Sequence, residues 1–349
     1  MRVVVVGATG NIGTSLVQGL VADPAVTSVL GLARRLPDWR PDGVEWATAD
    51  IASDDIVRHL RGADAVVHLA WLFQPTHDPV LTWRVNALGG IRVFRAAAEA
   101  GVRALVYASS VGAYSPGPKD REVDESWPTD GWPTAGYTRE KAYLERVLDG
   151  LESEHPQLRV VRMRPGFVFK REAATEQRRL FAGPLLPNAI ARSRFIPVVP
   201  DLPGLRFQAL HSFDAADAFR RAVVRDVRGA FNIAADPVVD AHELARLLDA
   251  RVVRLPTPAV RAALAAAWQL RLVPASPHLF DAVLRVPIMS VARARTELDW
   301  QPRHTSLAAI GEFLAGLRDG AGMDTPPLAP ATSGPLRAHE VATGVGTRP

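Results

Sequence analysis

The stretch Met1-Arg2-Val3-Val4-Val5-Val6-Gly7-Ala8-Thr9-Gly10-Asn11-Ile12-Gly13 decides how the chain is read. An apolar run ends in three glycines spaced three residues apart. Apolar positions then recur at Leu16, Val17 and Leu20, the spacing of one helix face. The pattern predicts strand, tight turn, helix. A glycine turn bends sharply and lets backbone N–H groups approach a pyrophosphate, and the helix N-terminus beyond it favours negative charge. Gly7, Thr9, Gly10, Asn11, Ile12 and Gly13 are therefore candidate dinucleotide-binding residues. A glycine triplet also serves ordinary turns, so the rest of the chain has to support the reading.

Moving outward, Ser28–Ala33 and Val44–Thr48 read as the second and third strands, with Ser53 as the expected N-cap of a helix through Leu60. About twenty residues past the glycine turn, an NAD site would place an acid on the ribose 2′-hydroxyl; here the residue is Ala33, followed by Arg34 and Arg35. Two guanidiniums with no acid beside them suit a 2′-phosphate, which favours NADP over NAD. Asp50 is placed to meet an adenine amino group. Ala65–Leu69 reads as a strand buried on both faces, ending in His68-Leu69-Ala70-Trp71. The loop Trp71–Pro79, with Phe73 and His77, then lies where ligands bind in such sheets. A long helix is expected over Val80–Ala100 and a fifth strand over Arg103–Ala108. Strands alternating with helices at this spacing predict a doubly wound parallel sheet.

The chemistry-bearing residues are Ser109, Ser110, Tyr137 and Lys141. With 4 tyrosines and three lysines in 349 residues, chance supplies about 0.03 Tyr-x-x-x-Lys pairs. Leu144, Val147, Leu148 and Leu151 follow at helical spacing, so Tyr137 and Lys141 share a face one turn apart. A free phenol titrates near pH 10, and a neighbouring ammonium together with an oxidised nicotinamide ring is expected to draw it down toward neutrality.

Composition narrows the alternatives. At 48% hydrophobic and 22% charged residues the chain can bury a large core. No cysteine is present, which excludes a thiolate metal site or a cysteine nucleophile. The 9 histidines form no close ligand motif, and no metal is expected. The net charge of +4 is spread among interleaved acids with no basic stripe, so neither nucleic acid nor membrane is an expected partner. The run Ala262–Trp268 is too short to span a bilayer, and the start carries no cleavage pattern, so a cytoplasmic location is expected.

The turn at Gly7–Gly13, Asp50-Ile51, His68-Leu69-Ala70, Asn86, Ser109-Ser110, Tyr137 with Lys141, Arg164-Pro165-Gly166, His211–Asp217 and Leu298-Asp299-Trp300-Gln301-Pro302 resemble, in order, the pattern of the extended short-chain dehydrogenase/reductase (NAD-dependent epimerase/dehydratase) family. The similarity covers about residues 1–318. It implies that Ser110 bonds the reacting oxygen, Tyr137 moves the proton, Lys141 holds the nicotinamide ribose and Asn86 supports the relay. It also carries Ile51, Leu69, Ala70, Ser109 and Pro165 to the cofactor and implies hydride transfer between nicotinamide C4 and a carbonyl or alcohol carbon of a small-molecule substrate. Trp71, Phe73, Tyr114 and Phe167 are the expected substrate-side residues, with further selectivity in the 170–205 loop. Dimerisation is expected from the resemblance alone. Two departures matter. Val111 and Gly112 replace the acids of the family's dehydratases, which disfavours dehydration. Phe169-Lys170 replaces the usual Tyr-Gly, which argues against a typical sugar-nucleotide pocket. The leading expectation is a reductase, with a sugar-nucleotide epimerase and a non-catalytic dinucleotide sensor as alternatives.

The organisation expected is a Rossmann-type domain over 1–165 and 206–235, a smaller, mostly helical substrate lobe over 166–205 and 236–318, and a flexible tail over 319–349. Phe207–Leu210 and Ala230–Ile233 are expected to return to the main sheet. Trp268 and Trp300 are expected in the core, and Asp214 and Asp217 as capping or first-turn acids.

Overall fold

Seven parallel strands form the central sheet: β1 (Arg2–Val6), β2 (Ser28–Ala33), β3 (Val44–Thr48), β4 (Ala65–His68), β5 (Ala104–Ala108), β6 (Arg159–Pro165) and β7 (Gly229–Ile233). Their spatial order is β7-β6-β5-β4-β1-β2-β3. The computed structural model describes residues 1–185, 196–334 and 338–339. Successive side chains of a strand point to opposite faces, and β1 divides accordingly. Val3 and Val5 pack with Leu16, Val17 and Leu20 of α1 (Asn11–Val21) and with Phe219 of the helix Ser212–Val224. Val4 and Val6 pack with Val93 and Phe94 of the helix Gly89–Glu99 and with Leu144 and Leu148 of the helix Gly136–Glu154. Helices thus cover both faces, and each buried Val or Leu contributes about 1.5–3 kcal/mol. The strand order reverses at β1, between β2 and β4, which opens a crevice beyond the carboxyl ends of β1 and β4.

Several elements differ from their expected form. The helix expected from Ser53 is confined to Val57–Leu60. Asp54 accepts the Asp50 amide (2.8 Å) and Asp50 accepts the Ala52 amide (2.9 Å), and this side-chain turn competes with helix. The long helix is interrupted: an α-turn Pro79–Trp83 passes through a π-type turn Arg84–Leu88 before Gly89–Glu99. Ala209–His211 does not return to the main sheet but pairs with Phe167–Phe169 in a separate two-stranded sheet. Gly229–Ile233 does join the main sheet, at the edge beside β6. Trp300 is fully buried, its Nε1 donating to the Asp214 carbonyl (2.9 Å). Trp268 is only half-buried: its ring stacks on His77 with centroids 4.0 Å apart and its Nε1 donates to Thr76 (2.9 Å).

The segment after the helix Ser306–Asp319, expected to be flexible, is docked over its described part. Thr325 and Leu328 are buried, and the Thr325 hydroxyl donates to the Thr9 carbonyl of the glycine turn (2.9 Å). The Trp39 amide donates to Asp324 O (2.8 Å) and Thr175 to Ala321 O (2.6 Å). Pro326, Pro327 and Pro330 limit the conformations that ordering must remove, so few contacts suffice. Residues 186–195 of the expected selectivity loop, and residues 335–337 and 340–349 of the tail, lie outside the described residues.

Candidate active site

The glycine turn is fixed by close approach. Gly7 has φ +89, and a Cβ there would lie 2.6 Å from the Ala70 amide nitrogen; a Cβ on Gly13 would lie 2.3 Å from the Gly7 carbonyl. Neither position admits a side chain. Gly10 is different, because its Cβ would meet only the Gly7 carbonyl at 3.7 Å. Protein packing does not demand a glycine there, whereas a ligand pressed against the backbone would. Gly10 caps α1 with no side-chain hydrogen bond, and the first turn carries no acid. Its amides are therefore free for an anion, and the crevice fits a dinucleotide pyrophosphate. Leu69 and Ala70 form its wall. Arg34 and Arg35 lie exposed just past β2. Asp50 and Ile51 stand at the end of β3, where one Asp50 oxygen is already held by the Ala52 amide.

Ser110, Tyr137 and Lys141 converge at the end of β5. Ser110 is extended and opens a short 3-10 turn, its Oγ accepting the Gly112 amide (2.9 Å). Gly112 can be nothing larger, because a Cβ would lie 2.8 Å from Cε1 of Tyr137. Thr138 pins the start of the helix Gly136–Glu154 by donating to the Trp132 carbonyl (2.8 Å) and accepting the Trp132 amide (3.1 Å). Burial raises the Tyr137 pKa to about 12, partly offset by its hydrogen bond with Ser110. Burial also pushes Lys141 well below the ordinary lysine range, although Glu140 and Glu145 oppose this. Lys141 Nζ donates to the Ala108 carbonyl (2.6 Å) and lies 3.5 Å from the centre of the Trp71 ring. Lys141 is not among the causes of the Tyr137 shift, in which desolvation dominates. Phe73 stacks on Tyr137 (5.2 Å) and meets Phe181 edge-on (5.6 Å), while Trp71 meets Tyr137 edge-on (5.5 Å).

Other expected site residues have different surroundings. Asn86 sits in the π-type turn, accepts the Leu72 amide (2.7 Å) and donates to the Leu72 carbonyl (2.9 Å) and Glu140 (2.7 Å). It anchors the aromatic loop to the catalytic helix. Glu140, which the sequence reading missed, is buried between Tyr137 and Lys141 in the chain and also accepts from Thr82 (2.7 Å). No sequence spacing marks it. The Ser109 hydroxyl is committed to Glu145 (2.6 Å), leaving only its backbone for a cofactor. Glu145 is held by Arg164 through two contacts of 3.0 Å, so burial raises its pKa but Arg164 lowers it further, and it stays ionised. Tyr114 is corrected from substrate residue to core: it is buried, bonded to Asn232 (2.6 Å) and Arg164 (2.9 Å). Phe167 packs edge-on to Phe207, and Pro165 ends β6 buried.

One cluster was not expected. His211, His304 and Glu312 place ligand-type atoms within 4.8 Å of one another. The His211 Nδ1 accepts the Phe213 amide (3.2 Å), which puts its proton on Nε2, facing Glu312 (3.0 Å). His304 bonds the buried Asp214 (2.9 Å), whose carboxylate also accepts the Arg303 and His304 amides. Asp214, a first-turn acid of the helix Ser212–Val224 as expected, also ties that helix to the loop before Ser306, while Asp217 bridges Arg220 and Arg221.

The model of the NAD dependent epimerase/dehydratase family matches residues 3–234. The chain belongs to that family. It is 26% identical over 328 residues to the uncharacterized protein Rv0501 of Mycobacterium tuberculosis, covering 90% of this chain and 83% of that one. It is 28% identical over 171 residues to the 4-hydroxy-2-methyl-3-oxo-4-farnesyl-3,4-dihydroquinoline-1-oxide ketoreductase of Stigmatella aurantiaca, 48% of this chain and 51% of that one. Among solved structures, the UDP-glucose 4-epimerase of Thermus thermophilus, complexed with NAD, superposes with TM-score 0.68 at 22% identity, covering 91% and 99% of the two chains. The family is one of NAD-dependent enzymes, and the doubly wound sheet is its fold. Among the described residues no helix is long and apolar enough to cross a membrane.

Proposed function

We propose that this protein reduces a small-molecule carbonyl with NADPH, Tyr137 giving the proton. The observation carrying this reading is the aromatic cleft at Tyr137, where Phe73 stacks on the phenol ring (5.2 Å) and Trp71 meets it edge-on (5.5 Å). A phenol protonated at neutral pH can give its proton to a nascent alkoxide, which is far more basic. Gly7, Gly10, Gly13 and the first amides of α1 hold the pyrophosphate. Arg34 and Arg35 hold the 2′-phosphate, and Ala33 offers it no repulsion. A nicotinamide bound there would supply the hydride. Ser110 orients the substrate oxygen, and Tyr137 protonates it as the C–H bond forms. Lys141 lies against Ala108 O and Trp71, placed to turn to the nicotinamide ribose and to stabilise the phenolate left behind until solvent reprotonates it.

The aromatic walls Trp71, Phe73 and Phe181 support a carbonyl substrate more apolar than a sugar nucleotide, as does the likeness to the Stigmatella ketoreductase. A second reading, NAD-dependent sugar-nucleotide epimerisation, draws on the likeness to the Thermus epimerase. The test is NADPH oxidation at 340 nm with apolar cyclic ketones beside UDP-glucose. The proposal expects turnover with ketones that Tyr137→Phe abolishes. Epimerisation of UDP-glucose without net NADPH loss would replace it.

A further inference from the structure

Lys170 is 3% exposed, and its ammonium has no carboxylate within ion-pair distance among the described residues. Nζ donates to Thr14 Oγ1 (2.5 Å) and Ser15 Oγ (3.3 Å), both in the opening turns of α1. The hydroxyls continue inward to the glycine turn: Thr14 Oγ1 donates to Gly10 O (3.0 Å) and Ser212 Oγ to Asn11 O (2.9 Å), while Ser15 and Ser212 bond one another (2.9 Å). A buried cation with only neutral partners is costly unless an anion arrives to offset it. The start of α1, the helix that carries Thr14 and Ser15, has no side-chain cap and no acid in its first turn.

We propose that Lys170 is the buried countercharge of the cofactor pyrophosphate, acting through the first turns of α1 without touching the phosphates. The inference rests on the dinucleotide reading of the crevice. It also gives a reason for Lys170 to stand where the resembled family has glycine.

The electrostatic surroundings fix the expected pH dependence. Burial lowers the Lys170 pKa to about 8, opposed by Glu172 and Glu176 from the following turns. Across the small sheet lie the His211–Glu312 pair and Asp214, and Arg171 pairs with Asp319 on the outer side. His211 is held below its ordinary range, mainly by burial, and so titrates outside this window. A bound pyrophosphate favours the protonated amine, so Lys170 strengthens binding fully below about pH 8. Above that pH, binding takes up a proton and affinity falls as pH rises.

The test is calorimetric titration of the full chain with NADP+ between pH 7 and 9.5, for the native protein, Lys170→Met and Lys170→Gln. Gln keeps donors for Thr14 and Ser15 but carries no charge. Both variants are expected to bind about tenfold more weakly at pH 7. Native affinity should fall toward theirs above pH 8, and theirs should stay level. Binding at pH 8.5 in buffers of different ionisation enthalpy should show proton uptake by the native protein alone. The empty variants should melt no lower than the native protein, since the buried charge is gone. Variants with native affinity and native pH slope would overturn the inference, as would Gln binding natively while Met does not. If the native protein binds neither NADP+ nor NAD+, the dinucleotide reading itself fails, a result distinct from either.

Discussion

At the glycine turn the binding surface is backbone supplied by the seven consecutive residues Gly7–Gly13, whereas around Tyr137 it is side chains supplied by four separated segments, 71–83, 110–112, 137–141 and 174–181. The first surface is held by contacts that admit no Cβ at Gly7 or Gly13. The second is held by ring stacking and by the Asn86–Glu140–Thr82 hydrogen bonds. Rings can be exchanged or turned at modest cost, while a backbone turn cannot. A fixed cofactor crevice beside an adaptable aromatic cleft lets one chemistry serve different substrates, the usual division between scaffold and site.

The contrast can be broken most severely at its chemical centre. Tyr137→Phe removes only the hydroxyl, so ketone reduction should fall about a thousandfold while calorimetric NADP+ affinity stays within about twofold. Gly13→Ala attacks the crevice instead. Its methyl must displace the Gly7 carbonyl, and cofactor affinity should fall about a hundredfold or more, with a lower melting temperature in thermal scans. Glu140→Ala leaves the buried Asn86 and Thr82 groups short of a partner, and denaturant unfolding should show a loss of about 1–3 kcal/mol. Arg34→Ala should shift the ratio of NADP+ to NAD+ affinity about tenfold toward NAD+. Phe73→Leu keeps the wall apolar, and should change KM for an apolar ketone by only a fewfold while leaving kcat intact.

The same contrast governs what could be read from the sequence. The sheet, α1 and the Tyr-x-x-x-Lys pair are local patterns, and their strand and helix periods survive folding unchanged. Glu140 carries no local mark because its partners, Thr82 and Asn86, are more than fifty residues away. The π-type turn at Arg84–Leu88 leaves no mark in apolar spacing, yet it presents Asn86 to Leu72. Tyr114 had the composition of a pocket residue, and only the buried Arg164–Glu145 pair reveals it as core. The docked segment at Thr325 reads as polar and proline-rich, since its contacts are mostly backbone carbonyls and carry no side-chain pattern.

Net reduction by an exchangeable cofactor is the central claim. Its most direct test is to purify the protein, read its absorbance at 260 and 340 nm for retained dinucleotide, and titrate it calorimetrically with NADP+ and NAD+. The account predicts a cofactor-free preparation that binds NADP+ reversibly, one per chain, and more tightly than NAD+. A stoichiometric NAD that cannot be removed without unfolding would contradict it and make the recycling epimerase the better description.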